Sequence, residues 1–214
     1  MPLYKYMSRK YALGLVRHGL LRIGTLNDYR RQEHGQGVSD GDEGTKRIEV
    51  AIERQHFASG NDVPKTLASL GVIAVDDSSS NITLENIYVG KSIVAPNCYL
   101  WCASSVRSRD VMEQFEGADT CVEVVDIDRF FAILGQVMTT FDSAFQGLAD
   151  VLYQSRTEAW NPEHLGVHPA IIKGPEYSSQ HEVRAIWTPS MDDEIGPIKL
   201  HVNSLAQCCE LRKI

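Results

Sequence analysis

Apolar and polar positions along the chain alternate in short blocks rather than in long helical stripes. Leu3-Tyr4-Lys5-Tyr6-Met7 is a compact aromatic block that predicts a first strand. Ser8 then stands as an N-cap before a helical pattern over Arg9 to His18, which Gly19 is placed to end. Leu20-Leu21-Arg22-Ile23-Gly24 returns as a strand, so strand, helix and strand follow one another within about 25 residues.

From Asn27 to Thr45 the chain is polar and glycine-rich, too long for a simple turn, and predicts an ordered loop or lid. Ile48 to Phe57 and Ile82 to Ile93 read as strands. Between them Ala58 to Ser80 is undecided, with turn signals at Gly60-Asn61-Asp62 and Asp76-Asp77-Ser78-Ser79-Ser80. Cys98-Tyr99-Leu100-Trp101-Cys102-Ala103 is apolar and aromatic between Pro96-Asn97 and Ser104-Ser105, the pattern of a buried central strand. Val106 to Phe115 predicts a short helix and Thr120 to Val125 a strand. Asp126 or Asp128 is placed to cap a helix that begins with Arg129-Phe130-Phe131. Phe141 to Leu152 is ambiguous, although Phe141, Phe145 and Leu148 have helical spacing. Ile171 to Lys173, Val183 to Trp187 and Ile198 to Val202 predict three successive strands, a closing meander.

Strands that recur with short connections, and helices gathered early and in the middle, predict an α+β fold with mixed or antiparallel sheets rather than a doubly wound parallel sheet. A length of 214 residues suits one sheet-rich domain, so a single domain over residues 1–214 is expected. With 43% hydrophobic and 23% charged residues, a core can form and wholesale disorder is not expected. No run approaches the roughly 20 apolar residues of a membrane span, and the opening lacks the apolar stretch of a secretion signal. The expectation is a cytoplasmic protein without a membrane partner. Cys98, Cys102, Cys121, Cys208 and Cys209 are odd in number and include no C-x-x-C pair, so they read as reduced thiols mostly buried in strands.

The net charge of −7 argues against a nucleic-acid platform over the whole surface. The charge is unevenly spread, however. Lys5, Arg9, Lys10, Arg17, Arg22, Arg30 and Arg31 face only Asp28 in the opening segment, which is either a solvated helix and turn surface or a wall for anions.

No glycine loop ends in Gly-Lys-Ser/Thr, no G-x-G-x-x-G follows a strand, and no G-x-S-x-G elbow is present, which sets aside P-loop, Rossmann and α/β-hydrolase chemistry. His164 and His168 have the spacing of two ligands on one helix face, but Pro162, Gly166 and Pro169 break that helix, so no metal is expected there. Asp40, Asp42 and Glu43 are either oxygen ligands for a divalent cation or a solvated turn. In Gln180-His181-Glu182-Val183-Arg184 a carboxylate enters a strand directly after a polar turn. Either it projects into a cleft, or Glu182, Arg184 and Ile186 form the outer face of an exposed edge strand while Val183, Ala185 and Trp187 face the core.

The opening Leu3 to Ser8 with the helix behind it, the Gly19 to Gly24 strand and the late Gln180 to Arg184 together resemble an uncharacterised bacterial family similar in layout to ADP-ribosyltransferases. That superfamily holds its dinucleotide with a first-strand His or Arg, a middle-strand Ser or Tyr, and a late Glu in a Gln-x-Glu or Glu-x-Glu motif. Lys5 or Tyr6 falls at the first place, Ser104 at the second, and Gln180 with Glu182 at the third. The resemblance implies an ADP-ribosyltransferase-like fold with a central cleft and NAD as co-substrate. Glu182 would stabilise positive character on the ribose, Gln180 orient the acceptor and Ser104 steady the ribose or the nicotinamide amide. Tyr6 or Tyr29 would stack on a ring, and Arg22 would take the pyrophosphate.

The leading functional reading is thus an ADP-ribosyltransferase-like protein using NAD in a bacterial toxin, in defence or in phage conflict, with an acceptor the sequence does not name. The alternative is a catalytically silent nucleotide- or partner-binding regulatory protein of the same fold. A third reading is a metal-dependent nuclease built on Asp40, Asp42, Glu43 and Glu182. Leu3 to Met7 and Val183 to Trp187 are expected in the same or adjoining sheets. Glu182 is expected to face a cleft as an exposed carboxylate that contributes little to folding.

Overall fold

A computed structural model of the chain describes residues 2–30, 40–71, 74–191 and 194–214. In chain order its first elements are β1 (Leu3–Met7), α1 (Arg9–His18), β2 (Leu20–Thr25), α2 (Leu26–Tyr29), β3 (Thr45–Ser59), α3 (Lys65–Ser69), β4 (Ser80–Val94), β5 (Tyr99–Ser104) and α4 (Arg109–Met112). There follow β6 (Thr120–Val124), α5 (Ile127–Thr139), β7 (Ser143–Asp150), β8 (Leu152–Tyr153), β9 (Thr157–Ala159), β10 (Ile172–Lys173), β11 (Glu182–Pro189), β12 (Ile198–His201), α6 (Asn203–Ala206) and β13 (Cys209–Arg212). The fold mixes α and β with mostly antiparallel sheets. No described helix is long and apolar enough to cross a membrane. The elements gather into two compact units, one of Met1–Glu43, Pro96–Tyr153 and Lys173–Ile214, the other of Gly44–Ala95 and Gln154–Ile172.

The larger unit is built on a sheet in the order β12-β2-β5-β1-β6-β13, with β11 paired to β5 and β7 paired to β11. The apolar run at Cys98 to Ala103 becomes β5, the strand on which the sheet divides. β11 follows one edge of β5 along its length, from Glu182 opposite Ser104 to Trp187 opposite Tyr99. On the other edge β5 meets β2 at Tyr99 and Leu100, and β1 at Ser104. Between these two contacts the Nζ of Lys5 donates to the carbonyl of Cys102. β1 and β11 therefore share a sheet through β5.

Side-chain alternation gives the strands of this sheet two different faces. Trp101, Ala103, Val183, Ala185 and Trp187 point to one side and pack with Ala12 and Leu15 of α1 and Phe130, Leu134 and Met138 of α5. Burying each large side chain here contributes about 1.5–3 kcal/mol, so this face holds α1 and α5 in place more than their own propensities do. Gly19 ends α1 at φ 62°, and a Cβ there would lie 1.9 Å from the Val202 carbonyl oxygen, so both backbone angle and space demand glycine. Asp126 caps α5 by accepting from the Arg129 backbone N–H at 3.1 Å.

Several expectations change. The stretch with helical spacing after Phe141 is strand β7, because Asp142 at φ 48° turns the chain directly out of α5 and β11 offers an open edge. Phe145 then stacks on Phe131 and lies 5.1 Å from Trp187, a contact that strand pairing supplies without helical periodicity. The three late strands are no meander: β11 pairs β5 and β7, while β12 pairs β2. Nor is β11 an edge strand, since it has a neighbour on both sides. The helix read from Val106 to Phe115 contracts to Arg109–Met112, where the Ser108 hydroxyl accepts from two backbone N–H groups. Within the polar opening loop, Thr25 caps the short α2. Residues 31–39, including Arg31, lie outside the described residues. All five cysteines are free, and Cys102, Cys121 and Cys209 lie in strands.

The smaller unit is a sheet of β4, β3 and β9, in which β3 and β4 pair antiparallel from Thr45 opposite Val94 to Ser59 opposite Ser80. β9 joins β3 in parallel. Ile48, Val50, Ile52, Phe57 and Leu84 form its core with Val63, Leu67 and Leu70.

Candidate functional site

On the face of β11 opposite Trp187, Glu182 and Arg184 are buried. Arg184 is 1% exposed, and its two terminal nitrogens hold both oxygens of Glu43 at 2.7 and 2.9 Å. Its Nε donates to Glu182 Oε1 at 2.7 Å, and Lys173 Nζ donates to Glu182 Oε2 at 3.0 Å. Lys173 also donates to Gln180 Oε1 at 2.8 Å, and the Glu182 backbone N–H donates to the Tyr153 hydroxyl at 2.6 Å. Charges alternate in sign along Glu43, Arg184, Glu182 and Lys173. Such a chain is tolerable away from water because its carboxylate oxygens meet charged donors, which offset the cost of desolvation.

Burial by itself would raise the pKa of Glu182, but Arg184 first and Lys173 next outweigh it and hold the carboxyl well below its ordinary range. Glu182 is 7% exposed, which overturns the expectation of an exposed cleft carboxylate without a folding role. Burial pushes the neighbouring Cys102 thiol up to about 12, with Glu182 acting in the same direction, so this cysteine is no nucleophile at neutral pH.

These groups form part of the wall of a cavity of about 890 Å³ that lies wholly within the larger unit. Six cations line it (Lys5, Lys10, Arg22, Lys173, Arg184 and Lys199) against the three carboxylates of Glu43, Glu116 and Glu182. In a chain of net charge −7 this local excess of cations favours an anionic guest. Tyr4, Tyr6, Tyr11, Tyr29 and Phe115 add ring surface to the same wall. The volume is that of an ordinary small-molecule site, which runs to roughly 300–1,000 Å³.

Of the residues singled out from the sequence, Lys5, Tyr6, Arg22, Tyr29, Ser104 and Glu182 all line this cavity, and Gln180 does not. Gln180 is buried in the turn before β11 with its amide oxygen on Lys173. The Ser104 hydroxyl is engaged by the backbone N–H and carbonyl of Val106, each at 3.1 Å. Tyr6 donates its hydroxyl to the Val106 carbonyl at 2.7 Å, accepts from the Ser108 N–H at 2.9 Å and stacks on Phe115. Arg22 pairs with Asp28. Burial lowers the pKa of Lys5 and raises that of Tyr29 well above its usual value. From the basic opening segment Lys5, Lys10 and Arg22 reach the cavity, Arg9 and Arg17 are exposed on α1, and Arg30 donates to the carbonyl of Glu43.

Tyr29 reaches the wall because Gly24 leaves it room: a Cβ at Gly24 would lie 2.8 Å from two ring carbons and the hydroxyl oxygen of the tyrosine. Gly24→Ala should therefore displace Tyr29 and lower stability by about 1–3 kcal/mol, the usual range for overpacking. Urea unfolding measures this, and a loss below about 0.5 kcal/mol would show that the ring moves aside freely.

Among the described residues no three His, Cys, Asp or Glu side chains converge as a metal site. Glu43, for which the sequence left open an oxygen ligand or part of a solvated turn with Asp40 and Asp42, is buried and holds the guanidinium of Arg184. His164 accepts from the Gly166 N–H and His168 from the Ala170 N–H, both in local turns. Sequence reasoning passed over Lys173, Tyr153, Cys102 and Lys199. For Lys173 a signal existed, since a lysine directly after Ala170-Ile171-Ile172 sits where a buried partner is needed. For Lys199 none did.

No family model, curated protein or solved structure matches this chain.

Proposed function

We propose that the cavity binds NAD or a related nucleotide, and that the chain is an ADP-ribosyltransferase-like enzyme, in fold and in activity, with Glu182 as its electrostatic catalyst. The reading is supported above all by one observation: Lys5, Tyr6, Arg22, Tyr29, Ser104 and Glu182, drawn from both ends and the middle of the chain, line a single cation-rich, aromatic cavity. Rings suit a base or nicotinamide, and cations suit phosphates. When the glycosidic carbon–nitrogen bond breaks, nicotinamide leaves with the bonding pair and positive character grows on the ribose. A carboxylate held ionised by Arg184 and Lys173 is the group that stabilises such charge without first losing a proton. The acceptor then bonds to the anomeric carbon and releases its proton to solvent.

A catalytically silent nucleotide-binding protein is the second reading. It is favoured by the occupied state of the groups: both Glu182 oxygens already accept from cations, and the Ser104 hydroxyl is spent on Val106. Calorimetric titration with NAD, run beside an assay for nicotinamide release in the presence of a cell lysate as acceptor source, separates the two. The enzyme reading expects binding with release. Binding without release supports the silent protein, and no binding removes both.

A further inference from the structure

Lys199 of β12 lies directly opposite Arg22 of β2 in the antiparallel register, and both line the cavity. Cβ atoms of such a pair stand about 4.5–5.5 Å apart on one face, where two like charges repel and destabilise the sheet. Arg22 has Asp28 as a counter-ion. Lys199 is exposed and its side chain makes no ion pair or hydrogen bond among the described residues. Lys10 of α1, whose ammonium lies 5.9 Å from the Tyr11 ring, faces the same space. Only Arg22 of these three cations has a described ion-pair partner, and the cavity as a whole is lined by six cations against three carboxylates, an excess of positive charge that a bound anion would satisfy.

We propose that Arg22, Lys199 and Lys10 form an anion seat at the β2–β12 end of the cavity, and that it takes the diphosphate of a nucleotide ligand. A diphosphate fits better than a carboxylate because its several oxygens can meet the guanidinium fork and two separate ammonium groups at once. Asp28 tempers the seat by holding part of the Arg22 guanidinium. As part of a nucleotide site the proposal rests on the reading given above, but the seat itself requires only a phosphate-bearing ligand. It gives the like-charge pair across two strands a role: the repulsion persists in the empty protein and is relieved by the ligand.

The test is calorimetric titration of the full chain with inorganic pyrophosphate at 50 and 200 mM salt. The parent should bind, more weakly at the higher salt, since exposed charges are screened over about 8–10 Å in ordinary buffers. Lys199→Ala should weaken binding about tenfold or more, the effect of losing one charge-assisted contact, while Lys199→Arg should retain it. The free Lys199→Ala protein should be no less stable to heat than the parent, because a repulsion has been removed. A parent that binds no pyrophosphate, or Lys199→Ala that binds it as the parent does, overturns the seat. The nucleotide reading fails separately: if Lys199-dependent pyrophosphate binding is found but NAD is neither bound nor cleaved, the seat stands and that reading falls. If NAD is cleaved with an unchanged KM in Lys199→Ala, the reading stands and the seat falls.

Discussion

Replacing Arg184 by methionine is expected to destabilise the protein by about 3–5 kcal/mol, the usual consequence of removing one partner from a buried ion pair. Methionine fills much of the same volume, so the loss is electrostatic rather than a cavity effect. Glu43 would lose both donors of its bidentate contact, and of its two cationic partners Glu182 would keep only Lys173. Against a typical total stability of roughly 5–15 kcal/mol, this is a large fraction. Urea unfolding at unchanged m-value measures it. The deficit should shrink in acid, because Glu182, no longer held ionised by Arg184, can protonate more readily and so shed its charge. Adding Glu43→Gln to Arg184→Met should recover part of the loss, a non-additivity expected only when the two groups act on each other. A deficit under 1 kcal/mol, or one that is the same at pH 7 and pH 4, would show that water reaches this network and screens it.

For Glu182→Gln the largest expected effect is on turnover. If the enzyme reading holds, transfer should fall by 10²–10³-fold while NAD binding changes little, because the carboxylate acts on charge that develops in the transition state. That corresponds to about 3–4 kcal/mol of lost transition-state stabilisation. The amide can still accept from Arg184 or Lys173 but no longer balances their charge, so a fall in stability of about 1–3 kcal/mol should accompany it. The sign of the pH dependence follows from the depressed folded-state pKa. The parent's advantage from Glu182 is fully present above the ordinary value of 4.5 and is lost as pH falls towards the lower folded-state value. The stability gap between parent and variant should therefore be widest near pH 7 and narrow below pH 4.5. A variant that keeps full nicotinamide release loses its place in catalysis, whatever happens to its stability. One that binds NAD as the parent does, where neither protein releases nicotinamide, belongs to the silent reading.

Local pattern determined much of this protein. Alternation in Val183 to Trp187 and the uninterrupted apolar run at Cys98 to Ala103 mark β11 and β5, and the breaker Gly19 marks the end of α1, because these are set by period and breaker within a few residues, whereas Ser8 stands at the N-cap position of α1 without a side-chain capping bond. Tertiary pairing decided the rest. β7 carries helical spacing yet is a strand, since β11 offers it a partner whose identity lies some forty residues further along the chain. The candidate residues were legible as types: Lys5, Arg22, Ser104 and Glu182 could be named, but not the fact that β1 and β2 part along β5 to form one cavity wall. Charge state was less legible still. Glu182 reads in the chain as a cleft carboxylate, and only the fold brings Glu43 from a distant position onto Arg184 and turns Lys173 back onto Glu182 to close the chain of charges. The same holds for Lys199 opposite Arg22. Spacing along a chain reports which side chains share a face of one element, whereas an ion pair or a cavity depends on the register between elements, which long-range packing selects.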